Sequence, residues 1–453
     1  MKIRVAVTLL SVLSCQSVFA DDIHVPEDYF AIQGAISAAN DGDRILVSGG
    51  VFYEGLSIID KSIEIVGLDG AENTTLNASV SNSSAIVIEN SAVAISGLTI
   101  KNGDAVTGGG IKSSESTVSL QDCVISDNES SNNGAGIFVD GGSMTMDDVT
   151  FTDNVSGGGG GGLYVRYATD CVLTNVSVFN NLASNGGAIY VKDLKGDIDV
   201  IDSDLSDNSA VNNGGAIYIK NSLMNIESSE LTQNSANRGG GIFTYAGGNV
   251  TMQGGILQGN SAADVGGGAE IRSSTCSFTL TSFDSNIADS DCDGVGSGGA
   301  IDVVNSTVTV TDIVSCANMA CGELDDFSGD AVIIEGEVGG CDVGTGACCG
   351  GSACWVMEEA DCLNGGGEFL GGGSVCLVDS CEASVALGSC CVTPVCMMTT
   401  ESECESAGGE YGGEAVECSE VICDATCAAD INQDGSVNVD DLILVISYWG
   451  ACP

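Results

Sequence analysis

What most constrains this chain is a repeat. An apolar residue followed three positions on by asparagine recurs at Ile125/Asn128, Phe151/Asn154, Val178/Asn181, Leu205/Asn208, Leu231/Asn234, Leu257/Asn260 and Phe283/Asn286, with asparagine spacings of 26, 27, 27, 26, 26 and 26 residues. Internal periods of this size mark repeat architectures and outrank local propensity. Most units also carry a small-residue turn that runs into an apolar position: Gly110-Ile111, Gly136-Ile137, Gly162-Leu163, Ala188-Ile189, Ala216-Ile217, Gly241-Ile242 and Ala300-Ile301. Between these lie alternating runs such as Thr117-Val118-Ser119-Leu120 and Thr307-Val308-Thr309-Val310, whose period of two is that of strands. A propeller blade needs a longer unit, and a leucine-rich repeat would show leucine at its own spacing. An all-β solenoid remains, in which each unit is one coil and equivalent residues stack about 4.8 Å apart. The asparagines then read as an internal amide ladder at a turn, in preference to a row of ligands.

Composition supports that reading. Glycine is abundant (64 residues) and proline scarce (3), while the apolar fraction stays at 43%, which suits tight turns between stacked strands better than a disordered linker. Lys2 and Arg4, the apolar run Val5 to Leu13 and the small-residue end Ser17-Val18-Phe19-Ala20 predict a signal peptide over residues 1–20, hence export to the cell surface or medium. No later apolar stretch approaches the roughly 20 residues that span a bilayer, so no transmembrane segment is expected. The formal charge is −51, and loss of the two basic leader residues deepens it to −53. Such acidity argues against nucleic acid as a partner.

Two families are resembled. The stretch Ala31-Ile32-Gln33-Gly34-Ala35-Ile36-Ser37-Ala38-Ala39, with Gly42-Asp43, Tyr53-Glu54 and Ile65-Val66-Gly67, resembles the N-terminal cap and first coils of pectin-lyase-like proteins. That resemblance implies a right-handed parallel β-helix over residues 21–340, with an N-terminal helix covering the open end of its core. The apolar-x-x-Asn and Gly-Gly-Ala-Ile units, clearest from Val178 to Tyr190, are similar to the passenger of polymorphic outer membrane proteins. Those proteins end in a membrane β-barrel, which this C-terminus is not expected to form.

Twelve cysteines form an internal duplication: Cys348, Cys349, Cys354, Cys362, Cys376 and Cys381, then Cys390, Cys391, Cys396, Cys404, Cys418 and Cys423, both halves reading C-C-x4-C-x7-C-x13-C-x4-C. These small repeats, 341–385 and 386–423, cannot build a sizeable core, so disulfides are expected in preference to zinc, with the connectivity open. Cys292, Cys316, Cys321 and Cys341 suit two further bridges, and Cys123, Cys171 and Cys276 read as free, buried, apolar positions. Cys427 and Cys452 bracket a last module, 424–453. There Asp430, Asn432, Asp434, Ser436 and Asp441, with Gly435 at the bend, meet the spacing of a Ca2+ loop. The loop resembles one type I dockerin repeat, which implies calcium as cofactor and a cohesin-like partner; a dockerin has two such repeats, and one is present here.

Catalysis has little to draw on. With His24 the one histidine, no Ser-His-Asp or Cys-His set can be assembled in the repeats. Lyases of the pectin-lyase-like family use carboxylate-bound calcium and a basic proton abstractor, so a polysaccharide lyase or glycoside hydrolase is the alternative reading. A cleft with two or more carboxylates facing an Arg or Lys would favour it; Asp127 and Asp153 in adjacent coils read as solvated turns. A more specific feature follows the small-residue turn in five coils, where Phe138, Tyr164, Tyr190, Tyr218 and Phe243 alternate with core positions and should form an outward aromatic ladder. Arg166, Lys192 and Lys220 run beside it. This stripe predicts binding of polysaccharide or a cell-surface glycan, acidic glycans above all, against the plainer reading of cross-strand packing.

Overall fold

The computed structural model describes residues 20–292, 296–321, 323–324 and 326–339, and short segments between 345 and 414. Residues 1–19, where a signal peptide is expected, and Asp430, Asn432, Asp434, Ser436 and Asp441 of the expected calcium loop, with Cys427 and Cys452, lie outside the described residues. The chain divides into two units, the first running from Met1 to Ala347 with two later segments.

The first unit is a parallel β-solenoid. Each coil places its strands in register on the next: Ile111–Ser126 pairs in parallel along Ile137–Thr152, which pairs in turn with Leu163–Arg166, Asp170–Thr174 and Ser177–Phe179. A narrower face of short strands runs from Asp104–Thr107 to Met319–Ala320. Alternation sets the interior. In the strand Ile189–Lys192, Ile189 and Val191 are fully buried in the apolar core while Tyr190 and Lys192 are partly exposed on the other face. The inward side chains of successive coils stack into one apolar core, which runs from Val25 to Ile313.

Two devices turn the chain at each corner. Before the long strands stands a glycine with positive φ, as at Gly134, Gly160, Gly186, Gly214 and Gly239, with φ of 62°, 67°, 59°, 65° and 61°. Only glycine adopts that conformation without strain. At the opposite corner the asparagines stack. Asn128, Asn154, Asn181, Asn208, Asn234 and Asn260 are all but inaccessible, and each Nδ2 donates to the Oδ1 of the next at 2.9 to 3.1 Å. The ladder extends one rung beyond the sequence repeat. Asn286 donates to Asn318 at 2.9 Å, across a coil lengthened to 32 residues, and Asn318 donates to Asp326.

The helix Ile32–Ala38 buries Ile32, Ala35 and Ile36 in the same core. Its first amides are held by the next loop, since Ile32 N and Gln33 N donate to the Glu54 carboxylate at 2.8 and 2.9 Å. That carboxylate does the work of a cap that Ala31 lacks.

Cysteines behave in three ways. Cys123, Cys171 and Cys276 are free and buried as expected, and burial pushes the Cys123 thiol up to about 11 and the Cys276 thiol to about 12. Cys292 is bridged to Cys321, and Cys348 to Cys362, the first and fourth cysteines of the first repeat. The pairing of Cys349, Cys354, Cys376, Cys381, Cys390, Cys391, Cys396, Cys404, Cys418 and Cys423 lies outside the described residues. In the second unit, Gly388–Val392 pairs antiparallel with Val395–Thr399 and Glu410–Glu414. The first repeat shows the same three-stranded order around Thr345–Gly350.

Candidate functional site

The aromatic positions are in register as expected: Phe138, Tyr164, Tyr190, Tyr218 and Phe243 occupy one column on successive strands. Their rings stack, with centroids 5.2, 4.8, 4.5 and 5.3 Å apart and planes within 19° of parallel. Two expectations fail here. The rings turn their faces to one another, so those faces are not offered to a sugar, and Phe138, Tyr164 and Phe243 are only 3, 4 and 5% exposed. At one glycine the backbone closes over a ring. A Cβ at Gly159 would stand 2.6 Å from Tyr190 Cδ2. Burial raises the hydroxyl pKa values of Tyr164, Tyr190 and Tyr218, so the stack stays neutral.

The column two residues along is more open. Its register runs Asp140, Arg166, Lys192, Lys220, Tyr245, Arg272. Cations thus occupy four of five successive coils at one corner, on a chain of formal charge −51. Arg166 is held by Asp140 through two contacts, 3.0 and 2.7 Å, Lys192 lies 3.7 Å from Asp193, and Lys220 Nζ stands 5.5 Å from the Tyr245 ring. The side chains of Arg166, Lys192 and Arg272 remain about one-third exposed. Tyr167 and Tyr245 at this corner are 41 and 42% exposed, and Arg166 lies against Tyr167. Tyr167 holds φ of 56°, a conformation that costs a bulky residue energy. Directly beyond Tyr245 and Arg272 in the chain, Asn249, Ser273, Thr275, Ser306 and Thr307 line a shallow polar groove. Amides and hydroxyls there match the donors and acceptors of a sugar.

Sequence reasoning missed what ends the aromatic column. The next positions are Glu270, Asp302 and Ser328. Glu270 is wholly buried, and its Oε1 takes Arg238 Nη2 at 2.7 Å and Arg272 Nε at 2.6 Å. Asp264 lies 3.4 Å from Arg238, and Asp302 accepts from Ser328 at 2.5 Å. Two carboxylates, Glu270 and Asp264, therefore meet two arginines, with Asp302 next to Glu270 in register, a set expected of a lyase or hydrolase but built around a carboxylate closed to solvent. Arg238 reaches Glu270 across 32 positions from a different turn, which no local motif signals.

Among the described residues no helix is long and apolar enough to cross a membrane, and no group of three or more His, Cys, Asp or Glu is placed to hold a metal. No curated protein and no solved structure matches the chain. A family model described as the right-handed β-helix region matches residues 63–209 and 135–312, which together cover more than half the sequence. With in-register parallel coils over the same span, the chain belongs to the right-handed β-helix family.

Proposed function

We propose that this β-helix is an exported, non-catalytic scaffold that binds an acidic carbohydrate along the corner marked by Arg166, Lys192, Lys220, Tyr245 and Arg272. The observation that carries the reading is the column of cations in four of five coils of a strongly acidic protein. Chance placement would not gather scarce positive charge at one-coil spacing, and a polymer with one carboxylate per ring would meet it in register. The exposed Tyr245 ring and the groove beyond it supply an apolar face and hydroxyl partners. Affinity electrophoresis of the full chain through a polyuronate gel and a neutral glucan gel tests this. Retardation by polyuronate alone is expected; equal mobility in both gels would sink the reading.

We further propose that module 424–453 binds Ca2+ through Asp430, Asn432, Asp434, Ser436 and Asp441, and that a cohesin-like protein docks there. The loop spacing supports this. Calorimetric titration of the full chain should show a calcium-binding event that Asp430→Ala removes.

A further inference from the structure

Glu270 stands where the buried aromatic column would place a sixth ring, and it holds one member of the cation column by its side chain. From the geometry we infer that Glu270 regulates the carbohydrate corner: ionised, it holds Arg272 in an internal ion pair, and protonated, it frees Arg272 to join Lys192 and Lys220 in binding a polyanion. This rests on the function proposed above.

Four observations support it. Arg272 shares its register with Arg166, Lys192 and Lys220, yet its Nε lies 2.6 Å from Glu270 Oε1, an ion pair by distance, with no hydrogen bond made by that Nε among the described residues. Glu270 keeps a second strong partner, Arg238 at 2.7 Å, so loss of the Arg272 contact does not leave its Oε1 bare. Its other oxygen, Oε2, is buried with no hydrogen-bond partner among the described residues, an arrangement that a proton relieves. Arg272 is partly exposed, so its guanidinium has room to turn outward.

The charged groups facing Glu270 are Arg238 and Asp264 from the turn segments, Arg272 on its own strand and Asp302 on the next coil; the neighbour on the preceding coil, Phe243, is neutral. The two carboxylates work against the two arginines, and burial tips the balance. It pushes the Glu270 carboxyl up to about 7. Above that pH the carboxylate holds Arg272; below it the attraction weakens.

The test uses the full chain and dextran sulfate, whose own charge is constant from pH 5.5 to 8, at fixed ionic strength. The parent should bind about two- to fivefold more tightly at pH 5.5 than at pH 8, the effect of one added surface contact. Glu270→Gln should bind at pH 8 as the parent does at pH 5.5 and show no slope. Arg272→Ala should also lose the slope, binding at pH 5.5 no more tightly than the parent does at pH 8, which keeps the test valid if Glu270→Gln proves unstable on melting. His24 is present in all three proteins, so a slope surviving in Glu270→Gln would overturn the inference. Binding by the parent without pH dependence would overturn the regulation and leave the carbohydrate reading intact. Absence of binding to either dextran sulfate or polyuronate at any pH would overturn that reading itself.

Discussion

Two columns run along the solenoid from its middle coils onward, and they differ in kind. The inner one is asparagine at every coil from Asn128 to Asn318, each amide bonded to the next. The outer one holds five stacked rings from Phe138 to Phe243 and then becomes Glu270, Asp302 and Ser328. A uniform column repeats one solution to one problem, here the buried turn amides that must find partners. A column that changes chemistry partway has been adapted to something local. The first kind describes the fold, and the second marks where to look for function.

The sharpest way to test the comparison is to break the inner column. Asn208 accepts from Asn181 N and Nδ2 and donates to Val178 O, Ser206 O and Asn234. Asn208→Ala orphans several buried groups at once, and chemical denaturation should show a loss of about 3 to 5 kcal/mol. A loss below about 1 kcal/mol would mean that each rung acts alone and the ladder is not cooperative.

Next comes the break in the outer column. Burial raises the folded Glu270 pKa from 4.5 to about 7, so the folded state binds more protons than the unfolded one across that interval. Its contribution is therefore fully present below about pH 4.5 and is lost as pH rises to about 7. Relative to Glu270→Gln, the parent should lose on the order of 3 kcal/mol between pH 4.5 and pH 8. Denaturation midpoints that fall in parallel for both proteins would show that Glu270 is ionised throughout, held by its arginines.

Within the stack, Tyr190→Ala removes the ring with the closest neighbours, 4.8 and 4.5 Å away, from a partly covered position. A loss of about 2 kcal/mol in stability with unchanged polyuronate binding is expected. The reverse pattern, intact stability with lost binding, would restore the rings as the sugar platform.

The sequence disclosed repetition well and closure poorly. The coil length, the amide ladder and the three buried free cysteines follow from spacing and alternation, which are local and periodic. Asn318 was hidden because six extra residues before it move the asparagine interval from 26 to 32. The aromatic column was legible as a column, yet whether rings offer faces or edges depends on how closely a glycine turn approaches them, as Gly159 does Tyr190. Arg238 and Glu270 lie in different turns, and only the winding of the solenoid brings them together.

The smallest expected effect belongs to the third column, the cations at the corner, and it separates fold from function most cleanly. Lys192 and Lys220 lie outside the apolar core, one beside Asp193 and the other beside the Tyr245 ring. Exposed pairs of this sort contribute about 0 to 1 kcal/mol, so Lys192→Ala with Lys220→Ala should leave the melting temperature nearly unchanged. Removing two cations from a row at one-coil spacing should nevertheless weaken polyuronate binding by about 1 kcal/mol. It should also flatten the dependence on salt, because exposed charges act over about 8 to 10 Å before screening. A double variant that binds as tightly and as salt-sensitively as the parent would show that the column is held by Asp140, Asp193 and Glu270 for the fold's sake alone. The outer corner would then join the asparagine ladder as structure, and the polar groove beyond Arg272 would be the surface left to probe.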